Sequence, residues 1–204
     1  RVGNLERAGA VLSGHPPADR SAPGYPFDDT DVYKVIESTS YALCVRPDKE
    51  MEAYIARLVE TIGRAQEPDG YLYPARTIDP LHPHVWAGPS RWSLEKVDSH
   101  ELYNAGHLYE AAVAHYQATG SRDLLDIALK LMVAVAEIDA GEATEVRVKL
   151  DAIFAMINEL VAIDTRGVGR AFVSSLTAIL SRVGVVAAVA AGVAAQLSAL
   201  AGAS

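Results

Sequence analysis

All ten prolines, nine tyrosines, six histidines and two tryptophans of this 204-residue chain lie before residue 133. From residue 133 on, the chain is rich in Ala, Val, Leu and Gly. This break constrains the fold more than any short motif does. Proline, tyrosine, tryptophan and histidine build ordered loops and pockets, and a stretch without them packs as generic helix. The charge also divides, with −6 over residues 1–132 (13 basic, 19 acidic) and −2 over 133–204 (5 basic, 7 acidic). Two modules are expected: 1–132, with the features of an enzyme, and 133–204, an Ala/Val-rich helical tail.

The formal net charge of −8 has no basic cluster to set against it. Nucleic acid is therefore excluded as a partner, because phosphate contacts need grouped Lys and Arg. Cys44 is the one cysteine. It makes no internal disulfide and no cysteine zinc cluster, and it is expected to be a buried small hydrophobe. The chain opens with Arg1, and no basic-then-apolar leader follows. A signal peptide is expected to be absent or already removed.

Periodicity makes the fold all-α, with six to seven helices. Residues 1–28 read as irregular, with turn formers dense in "GHPPADRSAPGYPF". A helix is predicted over 29–43, capped by Asp29 or Thr30, with Val32, Val35, Ile36 and Tyr41 on one face. A second is predicted over 48–66, from Met51, Ile55, Leu58, Val59 and Ile62. Pro47 sets its start and "EPDG" its end. A long proline-rich loop follows over 70–97, of the kind that is often functional. Helices over 99–118 and 122–139 complete the first module, with Ser99 as a candidate N-cap.

The tail carries two amphipathic stripes, at 150–160 and 172–180, separated by "RGVG". From Val183 to Ser204 there is no charge, a length that spans a bilayer. Alanine dominates it, however, so a buried or self-associating helix is favoured over a membrane span. Gly184, Ala188 and Gly192 have the small-xxx-small spacing of close helix packing.

The most chemical stretch is "DSHELYNAGHLYEAAVAHYQATG" (98–120). It begins like the HExxH zinc motif, but Asn104 stands where the second histidine belongs. His100 and His107 are two turns apart, roughly 10 Å along a helix, so one ion is not held by both. His100, Asn104, His107, Ala111 and His115 share a face. A polar cluster at a helix start suits hydroxyl recognition. The competing reading, favoured on pattern alone, is a set of satisfied core or solvated side chains, with His115 structural either way.

The stretch extended to "QATGSRDLLDIALKL" resembles the β-L-arabinofuranosidases of glycoside hydrolase family 127 and the related family 146. "FDDTDVYKVIESTSYAL", "RAQEPDGYLYPARTIDP" and "HPHVWAGPSRW" resemble preceding blocks of the same catalytic domain, in order. The resemblance covers residues 1–131. It implies an (α/α)6 barrel with a pocket for terminal L-arabinofuranose, so that this chain is expected to form a partial (α/α)6 toroid, the alternative being a bundle of six to seven helices. It further implies that the proline-rich loop and the start of the 99–118 helix face the sugar. His100 is the first candidate for a hydroxyl contact, followed by Glu101, Asn104 and His107. Tyr71, Arg91 and Trp92 are pocket candidates from the loops, with loop packing the alternative for Tyr71 and Trp92. Asp29 and Asp31 also come within reach, although capping is their favoured role.

The resemblance implies a cysteine nucleophile on a zinc ion, with further cysteines and a glutamate as ligands. A glutamate serves as acid/base. All of these lie later in the barrel. Coordination suits that task because it deprotonates the sulfur. None has a counterpart in this chain, so no catalytic or metal residue is assigned and zinc is expected only in the complete enzyme. The expected partner is an L-arabinofuranoside, and the expected setting is a soluble bacterial cytoplasm or periplasm. The rival reading is a non-catalytic scaffold that self-associates through its tail.

Overall fold

The computed structural model describes residues 1–95 and 97–136. Among them are six α-helices and one 3-10 turn, with no strand. The helices are α1 (Val2–Leu12), α2 (Thr30–Val45), α3 (Lys49–Ala65), α4 (Pro74–Thr77), α5 (Glu101–Thr119) and α6 (Asp123–Ala136), with the 3-10 turn at Val85–Ala87. Residues Arg1–Val135 form one compact unit. The tail stripes, the uncharged segment and residues 137–139 of the last predicted helix lie outside the described residues.

The expectation of an irregular segment over 1–28 is corrected by α1. Leu5 and Ala8 lie one turn apart and are fully buried as α1 packs on α3. The turn formers begin only after this helix, at Ser13. Gly9 lets the two backbones approach, since a Cβ there would stand 3.2 Å from the Arg64 carbonyl oxygen.

Helix α2 packs mainly on α5, and its buried apolar residues are Val32, Tyr33, Ile36 and Leu43. Val35 and Tyr41, expected on that face, are exposed instead. Two residues along a helix are about 200° of rotation, and the buried stripe runs through Tyr33 rather than Val35. Cys44 is exposed, which corrects the expectation of a buried thiol. It follows the last inward residue, Leu43, and turns away from α5. Asp29 makes no capping bond; Thr30 instead donates to the Phe27 carbonyl at 2.9 Å.

Helix α3 begins as its sequence signals. The Asp48 carboxylate accepts from the amides of Glu50 (3.0 Å) and Met51 (3.1 Å). Ile55, Leu58, Val59 and Ile62 are buried, and Met51, in the first turn, is exposed.

The proline-rich segment is ordered rather than structureless. Tyr71–Ile78 is buried without interruption and contains α4, which starts at Pro74. A buried loop must satisfy its own polar groups. Tyr73 donates to the Ser99 carbonyl at 2.5 Å, and Thr77 to Glu67 Oε1 at 2.8 Å. The Arg76 guanidinium donates to the carbonyls of Ala87 (2.6 Å) and Gly88. Gln66 ties the segment to α6, donating to the carbonyls of Gly70 and Ile127 at 2.9 and 2.8 Å. At Gly70, φ is +96° and a Cβ would stand 2.2 Å from the Lys130 carbonyl oxygen, so only glycine fits.

Helix α5 is the central element, buried round much of its circumference by Leu102, Ala105, Leu108, Tyr109, Ala111, Ala112 and Ala114. Ser99 is not its N-cap. His100 holds that position in a left-handed conformation, and Glu95 from the preceding loop accepts from the Leu102 amide at 2.9 Å.

Candidate functional site

Tyr71, Arg91, Trp92 and Glu101 come together where the buried loop meets the start of α5. Glu101 is buried, and its carboxylate accepts three bonds. The donors are the Tyr71 hydroxyl (2.5 Å), the Ser99 hydroxyl (2.8 Å) and the Trp92 amide (2.9 Å). Burial raises the Glu101 pKa above its ordinary value, and the three donors pull it back, Tyr71 most strongly. Burial, and then the Glu101 charge, push the Tyr71 phenol well above its usual range. The proton of this short bond therefore stays on the tyrosine.

Arg91 closes the outer side of this group. Its guanidinium reaches Glu67 and Asp69, both at 2.5 Å, and lies 4.1 Å from the centre of the Tyr71 ring. That arrangement combines a two-carboxylate clamp with a cation–π contact. Trp92 stands edge-on to Tyr71 at 5.3 Å. A small core of Tyr71, Tyr73, Ala75, Ala87 and Ala134 lies beneath them.

His100 and His107 form a different group. His100 stacks on Phe27 at 4.7 Å and meets Tyr103 edge-on at 6.2 Å. His107 meets Tyr103 at 4.6 Å and pairs with Glu110 at 3.1 Å. With Glu37 of α2, these last two place three possible ligand atoms within 4.8 Å of one another. The His107–Glu110 pair satisfies itself without an ion, and the set contains no thiolate. His100 lies outside this set and stacks on Phe27 instead.

On α5, between Tyr103 and His107 in sequence, stands Asn104, buried and with neither amide atom bonded to protein. Asp29 Oδ1 and His115 Nδ1 are likewise buried and unpaired. Burial raises the Asp29 pKa to about 7 and lowers that of His115. Asp31 is instead at the surface, in an ion pair with Arg1 at 2.6 Å.

The non-glycine residues with positive φ among those described are Trp92 (66°) and His100 (53°). Such backbone conformations are costly and persist where surrounding contacts hold them. The Glu101 bond holds Trp92, and the ring stack holds His100. Sequence reasoning missed Phe27, Tyr73, Arg76 and Tyr103 as supports. Of these, only the lone arginine of the apolar "LYPARTI" run gave a local signal.

Comparison with known proteins bears on the chain as a whole. The β-L-arabinofuranosidase GH127 catalytic-domain family matches residues 2–159, a range that runs past the compositional break at 132. A non-reducing end β-L-arabinofuranosidase of Bifidobacterium longum subsp. longum is 42% identical over 130 residues, 64% of this chain and 18% of that protein. A solved GH127 β-arabinofuranosidase aligns with a TM-score of 0.62 at 50% identity, over 66% of this chain and 20% of that one. A GH127 β-L-arabinofuranosidase from Geobacillus stearothermophilus T6 aligns at 0.56 and 36% identity, over 68% and 20%. The chain thus spans about a fifth of the length of these relatives.

Proposed function

The chain belongs to the β-L-arabinofuranosidase GH127 catalytic-domain family, and from that premise we propose that it supplies one wall of a pocket for terminal β-L-arabinofuranose. The supporting observation is that two candidate contact residues, His100 and Trp92, are both held at positive φ. The buried Glu101 network fixes Trp92, and the ring stack fixes His100. Strain of this kind positions side chains for a ligand. His100 offers ring nitrogens to a hydroxyl, Trp92 an indole face, and Asn104 a donor and an acceptor that no protein group uses. Glu101, Tyr71 and Arg91 act mainly through these, as positioning residues. His107 lies near Glu37 of α2 and pairs with Glu110.

Catalysis needs more than this wall. The family resemblance implies a zinc-held cysteine nucleophile, further cysteine ligands and an acid/base glutamate. The one cysteine, Cys44, is exposed at the end of α2 and cannot form that donor set. The residues present do not fit the metal centre, and no bond-breaking step is assigned to them.

The test is thermal unfolding of the purified chain, with and without a large excess of L-arabinose. A ligand that binds only the folded state raises the midpoint. The expected result is a cooperative transition that shifts upward, with the shift abolished in His100→Ala and Trp92→Ala. A cooperative transition with no shift would support the scaffold reading instead.

A further inference from the structure

Beyond the pocket wall, four rings are stacked in a row. Trp86 stacks on Tyr25 at 5.4 Å (interplanar angle 21°) and Tyr25 on Phe27 at 5.4 Å (9°). Phe27 stacks on His100 at 4.7 Å (25°). They come from three distant segments: the N-terminal loop, the 3-10 turn and the start of α5. Parallel rings in contact are ~3.5–4.0 Å apart. Centre separations of 5.4 Å therefore mean that the rings are slid past one another, in the offset arrangement aromatics prefer. Each ring then leaves part of its face uncovered, as a step does. The outer steps are open to solvent, Tyr25 at 55% and Trp86 at 37% exposure. His84 flanks the outer end. Its Nδ1 accepts from the Trp86 amide at 3.2 Å, which leaves Nε2 as the N–H donor of the neutral ring.

Large aromatics left exposed in a connected group mark a binding surface. The histidines at its two ends, His84 and His100, distinguish this group from a face meant for burial against apolar protein, since each keeps a polar atom to satisfy. A ring face beside a hydrogen-bond donor matches a sugar, whose C–H face and hydroxyl rim present the complementary pair. The inner end of the row is His100, the first contact proposed for the terminal arabinofuranose. We infer that Tyr25 and Trp86 form an outer subsite for the sugar residue that carries the terminal arabinofuranose. The inference rests on the reading of His100 as a pocket residue and extends it outward, from a monosaccharide to an oligosaccharide.

Saturation-transfer NMR on the purified chain tests it without requiring turnover. The probe is a disaccharide with a terminal β-L-arabinofuranosyl residue. Protons of both rings are expected to receive saturation. Tyr25→Ala and Trp86→Ala should remove the signal of the second ring and weaken the disaccharide about tenfold, while the terminal ring stays saturated. Tyr25→Phe and Trp86→Tyr, which keep a ring, should retain both signals. A cooperative melt of each variant confirms that it folds. The inference is overturned if the second ring receives no saturation, or if its signal survives both alanine variants. An unsaturated terminal ring counts separately, against the pocket reading itself, and distinguishes the two failures.

Discussion

Glu101 is the residue on which the site depends. Its buried carboxylate serves three donors, and a glutamine would turn one acceptor oxygen into a donor facing a donor. Glu101→Gln is expected to cost about 2 kcal/mol, read from the urea unfolding curve. A loss under ~0.5 kcal/mol, the ordinary size for a surface change, would show that the network is dispensable. Asp29 behaves oppositely. Its folded pKa of about 7 lies above the ordinary 3.8, because burial penalises its charge. As pH rises through that window the unfolded chain gives up its proton first, so Asp29 lowers stability progressively and the full penalty holds above pH 7. The shift corresponds to roughly 4 kcal/mol at most. Asp29→Asn should therefore melt well above the parent at pH 8 and level with it at pH 4. A constant difference across pH would contradict the assignment. Neither role was legible in the sequence. "FDDTD" reads as a helix cap, and only the packing of neighbouring helices decides that Asp29 is sealed in instead.

At the scale of elements, local signals were reliable where a short-range interaction decides the outcome. Asp48 after Pro47 marks the start of α3, and the carboxylate caps it. Asp48→Ala should cost about 1 kcal/mol, measurable as a lower melting point with unchanged cooperativity. The segment after α3 shows the limit of such signals. Its prolines indicate a loop, but not that Tyr71–Ile78 is buried or that Gly70 lies against α6. Gly70→Ala combines positive φ with a contact of 2.2 Å to a backbone oxygen. It should destabilise by ~2 kcal/mol or more. A neutral result in the same unfolding assay would mean that α6 yields at Lys130. Helix α1 was missed because, of its buried residues Asn4, Leu5, Ala8 and Gly9, only Leu5 and Ala8 are apolar side chains, too few to show periodicity.

At the scale of the molecule, the chain carries about a fifth of the length of its arabinofuranosidase relatives. The described unit joins α1 to α3 and α4, and α2 to α5, within a helical fold that aligns with theirs. The isolated chain is expected to release no arabinose from an aryl β-L-arabinofuranoside, even with zinc and thiol. Adding a polypeptide that carries the remainder of a family catalytic domain should restore release. Turnover by the isolated chain would place a nucleophile among its 204 residues and overturn the account of Cys44. Among the described residues, no helix is long and apolar enough to cross a membrane.

By itself the sequence determined the helical class, most of the helix boundaries and the family. Periodicity, capping residues and ordered motif blocks are properties of neighbouring residues, and they survive without tertiary contacts. Only the tertiary structure decided which face of α2 turns inward. It also separated the candidate contacts into a Glu101 network and a His100 ring stack, and it brought Trp86, Tyr25 and Phe27 into one row. Those outcomes depend on segments tens of residues apart meeting in space, and no local pattern records which of them meet.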